Sequence, residues 1–213
     1  MDCFYATLQA MKQTTIALTS EKGGVGKSTL AVNLAGALSL NGLTTLVDED
    51  PIRSCDRWSR KSGTLPFPVF TPDTLEPERL KKTRFLLVDT EGRPRFADVL
   101  ELVRSSDLVL LPSGTSGIEI EATLDLVGRL QAAGSEMERV RVVVTRAPPV
   151  GTIGQQARDA IRVAGAPVVQ TVVREYRCHE RAAELGVLVR DVPDPRAAQA
   201  WADILELAME VVR

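Results

Sequence analysis

At 213 residues and a net charge of −2, the chain is long enough to bury an α/β core and too acidic overall to bind nucleic acid by bulk charge. Its 44% hydrophobic and 25% charged residues are those of a globular protein, and no apolar run approaches the ~18 residues of a bilayer span. Three scattered cysteines (Cys3, Cys55 and Cys178) and a single histidine, His179, argue against a disulfide framework, a zinc cluster or a Ser-His-Asp triad, and for a reducing cytosol.

Residues 1–10 show no signal-peptide pattern and read as a disordered upstream extension, the competing reading being a first helical turn packed on the body. Residues 11–213 read as one domain. "TTIALT" (14–19) is a β-branched strand that enters the glycine-rich loop "SEKGGVGKST" (20–29). "STLAVNLAGALSL" (28–40) has helical spacing and stops at Asn41-Gly42; "LTTLVD" (43–48) is the next strand. The stretch 62–83, rich in Pro and Thr, gives no clear element. Further buried strands follow at 85–89, 108–112, 140–145 and 167–173, separated by amphipathic stretches at 95–105, 117–133, 153–165 and 195–212. Strands alternating with helices along the chain predict a doubly wound, mostly parallel α/β sheet with helices on both faces.

The loop lies between a predicted strand and a predicted helix, as a phosphate-binding P-loop requires. Gly23, Gly24 and Gly26 let the main chain approach an anion, and the N–H groups from Val25 to Thr29 face it at the helix start. Lys27 is placed for the β- and γ-phosphates and the Ser28 hydroxyl for Mg²⁺. The usual spacing wants a glycine at 21, where Glu21 stands, and a second lysine, Lys22, follows. Asp89 closes a strand opposite this loop and suits Mg²⁺, directly or through water. Asp48 and Asp50 point the same way if their strand continues to residue 50, one then near the metal and the other near an attacking water. A capping role for Asp48 is the competing reading.

Lys22-Gly23-Gly24-Val25-Gly26-Lys27-Ser28 resembles the deviant Walker A motif of the ParA/MinD ATPases. "VDEDP" (47–51) is similar to that family's first switch segment, and "LLVDTEG" (86–92) to its Walker B and second switch. The resemblance runs from Met11 over nearly the whole chain and is nearest to the small ParF-type partition ATPases. It implies an ATPase that binds ATP and Mg²⁺ and forms a nucleotide-sandwich homodimer. In that dimer Lys22 reaches the partner's nucleotide and Asp50 orients the water. Asp48, Asp89 and Ser28 are the implied metal-side residues, with base contacts from Arg146 and from the loop near Pro193. Ile52, Glu91 and Arg93 depart from the family's usual residues in the switches.

The resemblance also implies slow, partner-stimulated hydrolysis, non-specific DNA binding by the ATP dimer, a small ParB/ParG-like DNA-binding adaptor, and a cytoplasmic, nucleoid-associated location. Arg174, Arg177 and Arg181 are the DNA-binding candidates; Glu180 and Glu184 beside them make a solvated, salt-bridged face the rival reading. The tail helix puts Asp203, Glu206 and Glu210 on its polar face, which anionic lipid would repel, so no membrane contact is expected. No cysteine sits where an iron–sulfur reductase of the superfamily needs one. The alternative function is an ATP-dependent switch of the same superfamily, MinD-like or positioning a cargo or secretion machine, without a role in DNA partition.

Overall fold

The computed structural model describes residues 13–212, so the expected extension at residues 1–10 lies outside the described residues. Seven strands form one sheet: β1 (Thr14–Ser20), β2 (Thr44–Asp48), β3 (Val69–Phe70), β4 (Phe85–Gly92), β5 (Leu108–Ser113), β6 (Val140–Ala147) and β7 (Val168–Arg174). Their order is β3-β2-β4-β1-β5-β6-β7, and every neighbouring pair is parallel. Parallel pairing requires crossovers and leaves both faces to be covered, which is why these strands read as continuous Val, Ile and Leu runs. The two-residue period assigns their sides: Ile16 and Leu18 enter one core and Ala17 the other, as do Val143 on one side and Val142 and Val144 on the other.

The first core is closed by α1 (Lys27–Leu38), α2 (Ser54–Ser62), α7 (Arg177–Leu185) and α8 (Ala197–Val211), and the second by α4 (Phe96–Ser105), α5 (Gly117–Ala132) and α6 (Ile153–Val163). A single turn, α3 (Pro77–Leu80), and the edge strand β3 occupy the stretch that carries no sequence pattern. α1 is buried almost all round. Its one buried amide, Asn33, is satisfied at both ends: Nδ2 donates to the Thr29 carbonyl at 2.9 Å, and Oδ1 accepts from the Val189 N–H at 2.8 Å.

β2 ends at Asp48, as its sequence reads, so the condition that would point Asp48 and Asp50 the same way along one strand is not met. Pro51 disfavours helix at Asp50 but also ends the ladder, and the Asp48 carboxylate accepts the N–H groups of Asp50 (3.2 Å) and Asp56 (2.9 Å), folding the chain around itself. One expectation is corrected in α8: Asp203 is 4% exposed and not on a solvated face, because it takes the Arg174 guanidinium in a forked pair with Nη2 to Oδ1 at 2.5 Å. Glu210 is likewise engaged, accepting the Gln170 and Thr171 N–H groups of edge strand β7 at 2.6 and 3.1 Å. α8 packs on the first core through Ile204, Leu207 and Ala208, and no helix among the described residues is long and apolar enough to cross a membrane.

Candidate active site

A cleft of about 990 Å³ opens at the carboxyl ends of the strands, where an open parallel sheet places its ligand site. One wall is the loop between β1 and α1. Gly24 and Gly26 take left-handed φ values of 79° and 84°, a conformation that penalises any side chain, and a Cβ built at Gly23 or Gly24 meets nothing within 4 Å. The loop is thus concave and open on its outer side. α1 starts at Lys27 with no side-chain cap, which leaves its first-turn N–H groups and dipole for an anion.

The loop is pinned from behind. Ser20 Oγ donates to the Lys22 carbonyl at 2.9 Å, Thr145 Oγ1 to the Val25 carbonyl at 2.8 Å, and Arg146 Nη1 to the Gly24 carbonyl at 2.8 Å. Arg146 itself has a positive φ of 53° and pairs with Glu175 at 2.8 Å; that hydrogen bond holds its guanidinium further in the charged form. Glu21 pairs with Arg129 of α5 at 3.1 Å, and Arg129 stacks over Phe96 at 4.2 Å.

The floor carries the charges. Asp48 and Asp89 are direct partners in the β2–β4 register, so their carboxylates emerge side by side on one face of the sheet. Burial raises the Asp48 pKa, and the Asp89 charge adds to the rise, while the N–H of Asp56 opposes it. Lys27 Nζ lies 2.7 Å from Asp89 Oδ1, contacts the Thr90 carbonyl, and stands 3.8 Å from Asp50 Oδ2. Asp50, although outside the strand, therefore reaches the same cluster. Ser28 and Thr29 are half-buried on the cleft lining. A second cation beside the two register-paired carboxylates and an anion beside Lys27 are what this donor set suits.

Some site residues carried no sequence signal. Cys55 is completely buried; its Sγ–H donates to Asp89 Oδ2 at 3.2 Å and approaches the Ser28 carbonyl at 3.8 Å. Burial pushes its pKa well up, with the charges of Asp89 and Asp48 adding, so it is a neutral donor and not a thiolate. The far wall consists of Glu175, Tyr176, His179 and Glu180. Pro193 is exposed and lies outside that lining. The three candidate DNA-binding arginines are not brought together as free cations: Arg174 is held by Asp203, Arg181 pairs with Glu184 at 2.8 Å, and Arg177 is exposed. Lys22 is half-buried at the cleft mouth, with no carboxylate paired to it among the described residues.

A sheet with this strand order, ending in a glycine loop, two register-paired aspartates and an inward lysine, defines a P-loop nucleotide-binding protein. Residues 16–189 match the CobQ/CobB/MinD/ParA nucleotide binding domain, and the chain belongs to that family of ATPases. It is 30% identical over 206 residues to the maintenance of carboxysome distribution protein A of Gloeobacter kilaueensis, covering 93% of this chain and 94% of that one. The protein of the same name from Halothiobacillus neapolitanus is 26% identical over 211 residues, covering 94% and 97%. The fold is shared with the MinD septum site-determining protein of Pyrococcus horikoshii, solved with Mg-ADP, at a TM-score of 0.65 and 18% identity over 94% of this chain and 98% of that one. The family-level resemblance stands; these relatives are carboxysome-distribution proteins and give no particular support to a ParF-type assignment.

Proposed function

We propose that the protein is an ATP-driven dimeric switch that positions a large protein cargo, with duplex DNA as the surface on which it works. The relatives' full-length similarity supports cargo positioning over plasmid partition, since both are named for the distribution of a protein body. In this reading Gly23 to Thr29 hold the phosphates, Lys27 meets the β- and γ-phosphates, and Ser28, Asp48 and Asp89 serve Mg²⁺. Mg²⁺ supplies charge neutralisation and orientation of the phosphate oxygens. Asp50 orients the attacking water, and Arg146 borders the base.

The observation that carries the dimer is Lys22: a cation at the cleft mouth without a carboxylate of its own among the described residues, beyond a lysine already committed inside. Around it the same edge of the sheet exposes Ile52, Ile118, Val150 and Ile153, at 63, 69, 84 and 49%. Apolar side chains on the loops after β2 and β6 (Ile52, Val150) and in the first turns of α5 and α6 (Ile118, Ile153) form a surface that a second copy would cover. A trans lysine in the dried interface acts with far greater strength than in water. Lys22→Ala is expected to retain nucleotide binding within a few-fold and to lose ATP-dependent dimerisation, read by multi-angle light scattering with ATP and Mg²⁺. A variant dimer as stable as the wild-type one refutes the role. A small DNA-binding adaptor that stimulates hydrolysis completes the reading, and its effect is measured as phosphate release with and without DNA.

A further inference from the structure

α2 is two-faced. Cys55 and Trp58 are buried in the core, while Arg57, Arg60 and Lys61 are exposed, and with Arg53 just ahead of the helix they repeat at i, i+4, i+7 and i+8. Among the described residues Arg57 has no carboxylate partner. Arg60 reaches Asp56 at 2.9 Å yet stays 69% exposed, and Lys61 donates to the Ala183 carbonyl at 2.6 Å, so its charge is not offset. The segment 53–84 carries eight Arg or Lys against four Asp or Glu in a chain of net charge −2. The helix dipole favours Arg60 and Lys61 in the last turn and Arg53 pairs with Asp73 at 2.7 Å, but helix stability does not account for Arg57, which lies in the amino-terminal half.

The same helix is tied to the nucleotide site. The Asp56 N–H donates to Asp48 Oδ2 at 2.9 Å, and Cys55 donates to Asp89, so the first turn of α2 hangs from both floor carboxylates. A change of ligand at those carboxylates reaches the basic face within one helical turn.

We propose that the exposed face of α2 is a nucleotide-responsive contact for the phosphodiester backbone of duplex DNA; this rests on the DNA-surface part of the proposed function. Phosphate contacts of this kind position a protein without reading bases. DNA is favoured over an anionic membrane because α2 exposes no apolar side chain to insert, its Trp58 being buried.

The test is fluorescence anisotropy of the full chain on a random-sequence duplex, with ATP and Mg²⁺, across about 50 to 200 mM salt. Arg57→Ala with Arg60→Ala is expected to lower the log–log salt slope by about two for each protomer engaged and weaken binding at physiological salt by ~10-fold or more. Arg57→Lys with Arg60→Lys retains binding, because a point charge suffices for phosphate. Melting curves and ATP-dependent light scattering check that the variants fold and dimerise. Should the double alanine variant fail to fold, Arg57→Gln alone lowers the slope by about one. Wild-type protein that ignores DNA with ATP overturns the functional reading beneath this inference. Wild-type binding matched by the double alanine variant overturns the α2 surface alone. Loss of binding to phosphatidylglycerol vesicles with DNA binding intact overturns it in favour of a membrane.

Discussion

Glu21 stands where the common loop spacing puts a glycine, and in the structure it ties the loop's base to Arg129, which in turn rests on Phe96. The residues of the loop were legible because their chemistry is local, three glycines and two lysines within a few positions. Cys55 and His179 were not, since their environments are made by segments far away in sequence. His179 is the clearest case. Both ring nitrogens are shielded from solvent and lack a hydrogen-bond partner among the described residues. Burial lowers its pKa from the ordinary 6.5, opposed by the nearby charges of Asp203 and Glu175. The unfolded chain therefore takes up the proton first, so stability held above about pH 6.5 is lost as the pH falls below it. Thermal midpoints between about pH 7.5 and 5.5 should drop for the wild type and stay flatter for His179→Leu. A wild-type midpoint that rises on acidification contradicts the assignment.

Most helices and strands were legible from apolar periodicity; α2 and its surroundings were not. "SCDRWSRKS" is polar except at Cys55 and Trp58, so its helix depends on docking and not on a broad apolar stripe. The docking partner is the end of α7. Trp58 Nε1 donates to the Val187 carbonyl at 3.0 Å, Ser62 Oγ to the Gly186 carbonyl at 2.6 Å, and Lys61 to that of Ala183. Gly186 allows this closeness: its φ is 75°, and a Cβ there would stand 2.5 Å from Lys61 Cβ and 2.8 Å from the Trp58 carbonyl oxygen. Gly186→Ala combines a left-handed alanine with overpacking against backbone and is expected to cost about 2 kcal/mol or more in urea unfolding. A shift below ~0.5 kcal/mol would mean that α2 and α7 separate readily.

All the connections that carry chemistry leave the same end of an all-parallel sheet, so nucleotide loop, floor carboxylates and exposed apolar rim share one edge of the molecule. That arrangement was foreseeable from strand alternation, as was the end of β2 at Asp48; how Asp50 reaches Lys27 from beyond the strand was not, because the turn that carries it is folded around the Asp48 carboxylate, a contact that strand periodicity does not record. Asp50 stands 3.8 Å from Lys27, and the proposed function gives it a role in hydrolysis and not in assembly. Asp50→Ala is expected to keep the ATP-bound dimer while slowing phosphate release by about 100-fold or more. Scattering and phosphate release on one sample separate the two effects, and loss of the dimer would move Asp50 to an assembly role.

The Lys27–Asp89 pair has a consequence for the order of events at the whole-molecule level. Lys27 is 7% exposed and Asp89 fully buried, so separating them strips the carboxylate of its ion partner and leaves the ammonium only Asp50, 3.8 Å away. An incoming polyphosphate satisfies only the ammonium; a divalent cation satisfies only the carboxylate. Either ligand by itself would open the pair at a loss, and both together restore neutrality on each side. On the proposed function the pair would work as a coincidence gate, an AND operation written in two side chains, opening when both inputs arrive.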